Sequence, residues 1–238
     1  MLIEEITMED YKNHLKKTKT IIIPFGVVEE HGSHLPLNTD TIIVCEILKA
    51  VAQKRAVFVA PPVNYGVCTT TGKHIGTLSI SSSALRAITR DLIKDAYNKG
   101  LRNFFLISGH GGSLHMSALK EVAEQLIDDL DDLKIAAFSP YDILWKELSA
   151  ICETPGDSHG GELETSLILA LAPHLVKGRA TEEYPKLPRP FIVRDKVKYW
   201  PGGVWGNPEK ATREKGLQAI EIIVSKVVEL IDELKTGY

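Results

Sequence analysis

Short runs of β-branched and aromatic residues alternate along this chain with longer segments of helical periodicity, and no other feature constrains the fold as strongly. We expect buried strands at 21–25, 57–60, 104–107 and 133–138. We expect helices that open at Thr7 and near Glu162, and others at 41–54, 83–98, 114–130 and 209–234. Strands that alternate with helices form parallel sheets covered on both faces. The pattern therefore predicts an α/β fold with a mostly parallel central sheet.

Length and composition bound the class of protein. At 238 residues, of which 44% are apolar, the chain can bury a sizeable core, and we expect one domain over 1–238. The formal net charge is -3 and no basic stretch could follow a row of phosphates, so nucleic acid is not an expected partner. The segment 179–208 is rich in proline, glycine and aromatic residues and lacks periodicity, which predicts an ordered surface loop.

Cysteine content and hydropathy indicate the compartment. Cys45, Cys68 and Cys152 are few, odd in number and widely spaced, which argues against a disulfide framework and against a thiolate zinc site. The first residues lack the basic segment of a signal peptide, and no apolar stretch reaches the roughly 18 residues of a membrane span. These features predict a cytoplasmic protein with no membrane partner.

Potential metal ligands follow two of the expected strands. The loop after the first strand contains Glu29, His31, His34 and Asp40, and the loop after the third contains His110 between glycines. In open α/β sheets, ligands bind beyond the carboxyl ends of the strands, where such loops converge. Imidazole and carboxylate groups together suit divalent ions such as zinc, manganese and iron. The two loops therefore predict a metal site at this edge of the sheet.

A third cluster lies at 157–166, where His159 occupies a glycine-rich turn and Glu164 follows five residues later. A dinuclear hydrolase needs several ligands for each ion and, as a rule, one carboxylate that bridges the pair. Asp40 is the candidate for this bridge.

Each of these residues also has a purely structural interpretation. Asp40 or Thr39 could cap the helix that follows, because their side chains accept hydrogen bonds from helix N-termini. Glu162 and Glu164 could be first-turn acids that the helix dipole favours. His110 could be a packed turn histidine. The coincidence of three ligand-bearing loops favours a metal site.

The remaining chemistry-bearing residues give weaker signals. His14, His115 and His174 lie in helical or helix-end contexts, where we expect them to be solvated. His74 lies nearer the mouth of the expected site, and we assign it to the pocket lining. Cys68 is the one weak candidate for a nucleophile. The glycine-rich turn after the third strand matches neither a dinucleotide fingerprint nor a P-loop.

Three motifs occur in order along the chain. They are Gly-Val-Val-Glu-Glu-His-Gly-Ser-His-Leu-Pro-Leu-Asn-Thr-Asp at 26–40, Ser-Gly-His-Gly-Gly-Ser at 108–113 and His-Gly-Gly-Glu-Leu-Glu-Thr-Ser at 159–166. Their order and spacing resemble the creatininase family of metal-dependent amidohydrolases along nearly the whole chain. The resemblance implies a three-layer αβα sandwich and a homo-oligomer, with a hexamer favoured.

The resemblance also implies roles for individual residues. Five are implied metal ligands: Glu29 and His110 on one ion, His31 and Glu164 on the other, and Asp40 bridging both. His159 would stand beside the ions as a proton donor or acceptor, and His34 would have a structural role. We therefore expect two divalent ions per chain, with zinc preferred and manganese or iron as alternatives.

Departures from creatininase proper bear on the substrate. There, the histidine of the second motif is followed by a tyrosine and a metal-binding glutamate, but Gly111 and Gly112 occupy these positions here. A tryptophan that closes over creatinine is replaced by Tyr141, and the asparagines that flank the second motif are Ser108 and Ser113. One metal ligand is therefore missing, which argues against creatinine as the substrate. We assign substrate binding to Cys68, His74, Gly111, Tyr141 and Asp157.

Together these observations predict a dinuclear amidohydrolase that cleaves a non-peptide carbon–nitrogen bond in a small cyclic amide or formamide. A water bridging the metal ions would attack the carbonyl carbon, and His159 would pass the proton to the leaving nitrogen. Alternatives within the family are a formamide deformylase and a protease that matures a peptide-derived cofactor. A non-catalytic metal-dependent binding protein is a further alternative, against which the retention of His159 argues.

Overall fold

The computed structural model describes residues 1–236, so the last two residues of the expected domain lie outside the described residues. Its four strands are β1 (Thr20–Phe25), β2 (Phe58–Val59), β3 (Asn103–Ser108) and β4 (Lys134–Phe138). They form one sheet in the order β2-β1-β3-β4, and every pairing is parallel.

Eight α-helices lie within the described residues. They are α1 (Met8–Leu15), α2 (Thr39–Lys54), α3 (Ser82–Asn98), α4 (Ser113–Asp129), α5 (Pro140–Ile143), α6 (Trp145–Ser149), α7 (Glu162–Leu171) and α8 (Arg213–Thr236). Single 3-10 turns occupy Ile3–Glu5, Pro173–Leu175 and Pro208–Lys210. No helix in this part of the chain is both long and apolar enough to cross a membrane.

Local hydrogen bonds explain where several helices begin. Thr7 Oγ1 accepts from the Asp10 backbone N–H at 3.2 Å and the Asp10 carboxylate accepts from the Thr7 backbone N–H at 3.0 Å, a capping box that starts α1 as expected. The last helix begins later than the expected 209, because Thr212 Oγ1 accepts from the Lys215 backbone N–H at 3.2 Å. Helices α5 and α6 are too short for their periodicity to show in the sequence.

The sheet separates two hydrophobic clusters, because successive strand side chains point to opposite faces. Ile22 and Phe105 pack in a cluster that contains residues of α2, α7 and α8. Ile21 and Phe104 pack in a second cluster, which contains residues of α3 and α4. These layers confirm the predicted three-layer αβα sandwich.

The neighbouring strands β1 and β3 define the position of the site. The chain passes from β1 to β2 on one side of the sheet and later returns to β3 on the other side of β1, so the strand order reverses there. The two strands end in register, with Phe25 opposite Ser108. Ligands of open α/β sheets bind in the crevice at such a reversal.

The segment 179–208 has the expected irregular backbone, but its description as a surface loop is incomplete. Trp200 is only 2% exposed. Its ring packs edge-on against His74 and His159, with centroids 5.6 and 5.4 Å apart. A large aromatic side chain gains most free energy when buried, so this loop closes over the crevice at the edge of the sheet.

Candidate metal centre

The first ligand-bearing loop and α2 place Asp40 beside the end of β3. Asp40 lies in the first turn of α2, and Asn38 precedes the helix without a capping hydrogen bond from its side chain. Gly109 packs against α2 so closely that a Cβ there would lie 2.2 Å from the Asp40 carbonyl oxygen. Only glycine permits this approach, which brings Asp40 next to His110.

A backbone hydrogen bond on the side away from the carboxylates fixes the orientation of the His110 ring. Its Nε2 lies 3.2 Å from the Val67 carbonyl oxygen, and a carbonyl can only accept, so Nε2 carries the proton. The other nitrogen, Nδ1, lies 2.9 Å from Glu29 Oε2 and 3.4 Å from Asp40 Oδ2. His110 thus presents a lone pair to two carboxylate oxygens.

His31 repeats this arrangement. Its Nδ1 lies 3.1 Å from the Glu29 carbonyl oxygen and must donate to it. Its Nε2 lies 3.2 Å from Asp40 Oδ1 and 3.6 Å from Glu164 Oε2. Metal-binding histidines typically give their second N–H to a backbone carbonyl in this way.

Asp40 lies between the two histidines, with one carboxylate oxygen directed at each. Asp40 is 1% exposed and Glu29 is 2% exposed. Asp40 Oδ2 and Glu29 Oε2 have no hydrogen-bond partner among the described residues. Buried carboxylate oxygens without donors are costly unless a cation neutralises them. The donor set therefore fits divalent metal: His31, Asp40 and Glu164 form one potential ligand group, and on the other side of Asp40 the Nδ1 of His110 lies near both Asp40 and Glu29.

The pKa shifts show where positive charge is required when no metal is bound. Burial opposes ionisation of Glu29, but His110 and His159 together outweigh it and lower the pKa of Glu29 to about 2. Burial likewise opposes protonation of His31, but Asp40 and Glu164 raise its pKa to about 10. Without metal, extra protons on His110 and His31 therefore supply the positive charge at the positions where the ligand atoms converge.

His159 stands beside this cluster. Its Nε2 lies 2.6 Å from the Glu30 carbonyl oxygen and donates to it, which leaves Nδ1 as the basic atom. Its ring lies over that of His31, with centroids 4.2 Å apart. The Glu30 carboxylate is 3.6 Å from His159 Nε2, so it can stabilise a protonated ring.

A cavity of about 300 Å³ opens onto the cluster. Of the residues assigned to substrate binding, Gly111, Tyr141 and Asp157 line it. The Asp157 carboxylate, however, accepts from the Glu162 and Leu163 backbone N–H groups at 2.7 and 2.9 Å, so it mainly caps α7.

The other two assigned residues lie behind the cavity wall. Cys68 is buried, with its sulfur close to Glu29 and His110. His74 Nε2 donates to the Trp200 carbonyl oxygen at 2.6 Å, so its contact with the pocket is indirect.

Two histidines expected to be solvated are buried, so that prediction is wrong. His14 packs edge-on against Phe58, with ring centroids 4.6 Å apart. His115 is fully buried and accepts from the Val67 backbone N–H at 3.2 Å through Nδ1. Both lie on the inward faces of their helices, and polarity alone did not indicate this. His34 is also buried, with Nε2 2.8 Å from Thr165 Oγ1, which agrees with a structural role.

Sequence reasoning missed several residues around the site. Thr71 hydrogen-bonds Glu29 Oε1, and Trp145, Trp200 and Trp205 line the cavity. The signal for Trp200 was present, because a large aromatic side chain gains most free energy when it is buried. Thr71 gave no comparable signal in its threonine-rich loop.

Ligands of this kind at this edge of a parallel α/β sheet suit divalent metal ions and the hydrolytic chemistry that such ions support. Residues 4–231 match the creatininase family, described as creatinine amidohydrolase. A creatinine amidohydrolase of Pseudomonas putida is 27% identical and aligns over 98% of this chain and 96% of its own length. A mycofactocin precursor peptide peptidase of Mycobacterium ulcerans (strain Agy99) is 31% identical, over 92% of this chain and 86% of its own.

Solved creatininase structures also resemble this chain. A manganese form of creatininase superposes with a TM-score of 0.83 and a Zn–Zn type of a creatininase variant with 0.84, both 26% identical over 98% of this chain and 97% of theirs. The chain belongs to the creatininase family and is an amidohydrolase.

Proposed function

We propose that this protein is a dinuclear metal-dependent amidohydrolase that cleaves a non-peptide carbon–nitrogen bond in a small cyclic amide or formamide. The observation that carries the proposal is the position of Asp40, whose two carboxylate oxygens each lie near an imidazole nitrogen that makes no backbone hydrogen bond. The Zn–Zn type of a related creatininase supports two ions rather than one.

The ligands of the two ions follow from the two groups. Glu29, Asp40 and His110 would hold one ion, and His31, Asp40 and Glu164 the other. Bound divalent ions would activate water for attack on the substrate carbonyl and take up negative charge on its oxygen.

His159 is the proton carrier of the proposed reaction. It lines the cavity, and its Nε2–H is held by the Glu30 carbonyl, so Nδ1 accepts the proton of the attacking water. The imidazolium then donates this proton to the leaving nitrogen. The Glu30 carboxylate favours the charged ring during the transfer.

Tyr141 is the best placed residue to bind substrate. Its hydroxyl is buried and has no hydrogen-bond partner within residues 1–236. Burial, followed by the charge of Glu164, raises the pKa of Tyr141 well above its ordinary value, so the phenol stays protonated and can donate. A cavity of about 300 Å³ suits a small molecule. The indole rings in its lining could cover the apolar side of that molecule.

Peptide trimming is the second candidate, because the mycofactocin precursor peptide peptidase shares 31% identity over 92% of this chain. We test both with metal-loaded protein on a panel of cyclic amides, formamides, lactones and short peptides. We expect turnover of a cyclic amide or formamide, and a loss of about 10²- to 10⁴-fold in His159→Ala with the metal retained. Metal binding without turnover of any member would instead indicate a binding protein.

We also propose that the chain forms a homo-oligomer, with a hexamer favoured. Ile75 is 99% exposed, Leu78 57% and Tyr65 48%, all on one loop beside the site. A patch of large apolar side chains on a protein surface usually marks a contact with another protein. Light scattering should give about six times the chain mass of 26.3 kDa, and a mass of one chain would exclude an oligomer.

A further inference from the structure

A thiol lies beside one of the two groups of metal ligands. Cys68 is a free cysteine, 4% exposed. Its sulfur, a carboxylate oxygen of Glu29 and a ring nitrogen of His110 all lie within 4.8 Å of one another. Glu29 Oε2, which lacks a hydrogen-bond donor in this part of the chain, independently indicates that a cation belongs here.

The same peptide segment positions the thiol and the imidazole. The Val67 carbonyl accepts from His110 Nε2–H at 3.2 Å, and the Val67 N–H donates to His115 at 3.2 Å. The Cys68 N–H donates to Ser79 Oγ at 2.9 Å. Cys68 is therefore held in place by its backbone, with its sulfur close to Glu29 and His110.

Gly112, two positions after His110 in the second motif, has no side chain that could complete this group. The ion beside His110 has three ligands so far, Glu29, Asp40 and His110. A Cβ at Gly112 would lie 2.2 Å from His110 Nε2, so a longer side chain could not occupy that position with the ring as it stands. Zinc commonly takes four ligands, and sulfur is among its preferred donors.

We propose that Cys68 is a ligand of the ion bound by Glu29, Asp40 and His110, and that its thiolate makes this position selective for zinc over manganese. The inference rests on the metal centre of the proposed function. On binding, the S–H bond breaks, the sulfur bonds to the ion and the proton leaves to solvent. The small number of cysteines excludes a site built from thiolates alone, but one thiolate among carboxylates needs no others.

The kinds of ligand atom distinguish the two metal positions. A coordinated thiol loses its proton outright. Soft thiolate ligands favour zinc, whereas manganese prefers oxygen ligands, so the sulfur-free group of His31, Asp40 and Glu164 would be the less selective one.

Cobalt(II) spectra test this assignment, because thiolate-to-cobalt charge transfer absorbs in the near ultraviolet and ligand-field bands absorb in the visible. We would titrate the metal-free full chain anaerobically with Co²⁺. The charge-transfer band should rise with the first equivalent and be absent in Cys68→Ser, whose ligand-field bands persist. Cys68→Ser should also bind the first ion about 10- to 100-fold more weakly.

Controls separate this inference from the proposed function. Cys45→Ser and Cys152→Ser should keep the band, since neither cysteine belongs to a potential ligand group in residues 1–236. Ligand-field bands without charge transfer in the unmodified protein would overturn the Cys68 assignment alone. Absence of cobalt binding would overturn the metal centre itself. X-ray absorption of the zinc-loaded protein needs no variant: a sulfur shell at about 2.3 Å is expected, and a shell of only nitrogen and oxygen would contradict the Cys68 assignment.

Discussion

His110 Nδ1 lies 2.9 Å from Glu29 Oε2, yet no hydrogen bond satisfies that oxygen anywhere in the described chain. The Nε2 proton of the ring goes to a backbone carbonyl on its far side. In a buried place, Nδ1 and the carboxylate oxygen can face each other only if a second proton or a metal cation lies between them. We infer that a divalent ion supplies this charge, and the stability of the fold should depend on it.

Removal of metal should therefore destabilise the protein. A ligand that binds only the folded state adds about 2.7 kcal/mol at a hundredfold excess over its Kd. For a chain of this length each kcal/mol moves the melting temperature by about 2–4 °C. Calorimetry with and without a chelator should show a fall of several degrees that added zinc reverses, whereas an unchanged melting temperature would argue against a buried ion.

Gly109→Ala should disturb the centre without touching a ligand. The new Cβ would lie 2.2 Å from the Asp40 carbonyl oxygen, and such overpacking costs about 1–3 kcal/mol. Gly111→Ala in the same turn is the matched control, because its Cβ would have no neighbour closer than 3.9 Å. We expect lower metal content and a lower melting temperature in Gly109→Ala only. Equal behaviour of the two variants would show that the close approach does not hold Asp40 in place.

Tyr141→Phe should separate stability from catalysis. The hydroxyl has no partner among the residues described, so its removal should leave the free energy of unfolding unchanged or slightly higher. If the hydroxyl binds substrate, kcat/KM should fall about tenfold with the metal content unchanged. Tyr65→Phe, at a residue 48% exposed, serves as the control. Unchanged kcat/KM in Tyr141→Phe would remove Tyr141 from the substrate site.

Glu162→Gln should destabilise the fold at neutral pH. Glu162 is fully buried and accepts from Lys215 Nζ at 2.6 Å and from the Thr154 backbone N–H at 2.8 Å. Hydrogen bonds to a charged group are worth about 1.5–3 kcal/mol, which is the expected loss. Glu153→Gln is the control, since Glu153 also contacts Lys215 but is solvent-exposed, and should lose less than about 0.5 kcal/mol.

The difference in free energy of unfolding between Glu162→Gln and the unmodified protein should also depend on pH. Burial acts to raise the pKa of Glu162, but Lys215 and Thr154 outweigh it and the pKa is lowered. A lowered carboxyl pKa stabilises the fold above the ordinary carboxyl range, and this contribution is lost as the pH falls through the folded-state value. Urea unfolding of the metal-free proteins should show the difference shrink in acid. A constant difference would indicate packing rather than charge.

Much of the fold could be predicted because its signals are local. The strand before Glu29 and the strand before His110 are continuous apolar runs, and parallel strands bring their carboxyl ends to one edge. The motifs at 26–40 and 108–113 could therefore be assigned to one site from the sequence. The assignment of each ligand to an ion stays a prediction until metal is measured.

Other features depend on contacts between distant segments, which no local pattern reports. The burial of His115 follows from a hydrogen bond to Val67, 48 positions away in sequence. The position of Glu162 beneath Lys215 and the closure of Trp200 over His159 are likewise tertiary contacts. The role of Cys68 could not be inferred from spacing, because its neighbours Glu29 and His110 come from other loops.

Metal counting on the purified protein and on Asp40→Asn tests the central claim most directly. Asp40 faces both histidines, at 3.2 and 3.4 Å, so its replacement by a neutral amide should disrupt both positions. Inductively coupled plasma mass spectrometry on zinc-loaded, desalted protein should give two ions per chain, and one or none in Asp40→Asn. A single ion in the unmodified protein, or two ions retained in Asp40→Asn, would contradict a centre bridged by this residue.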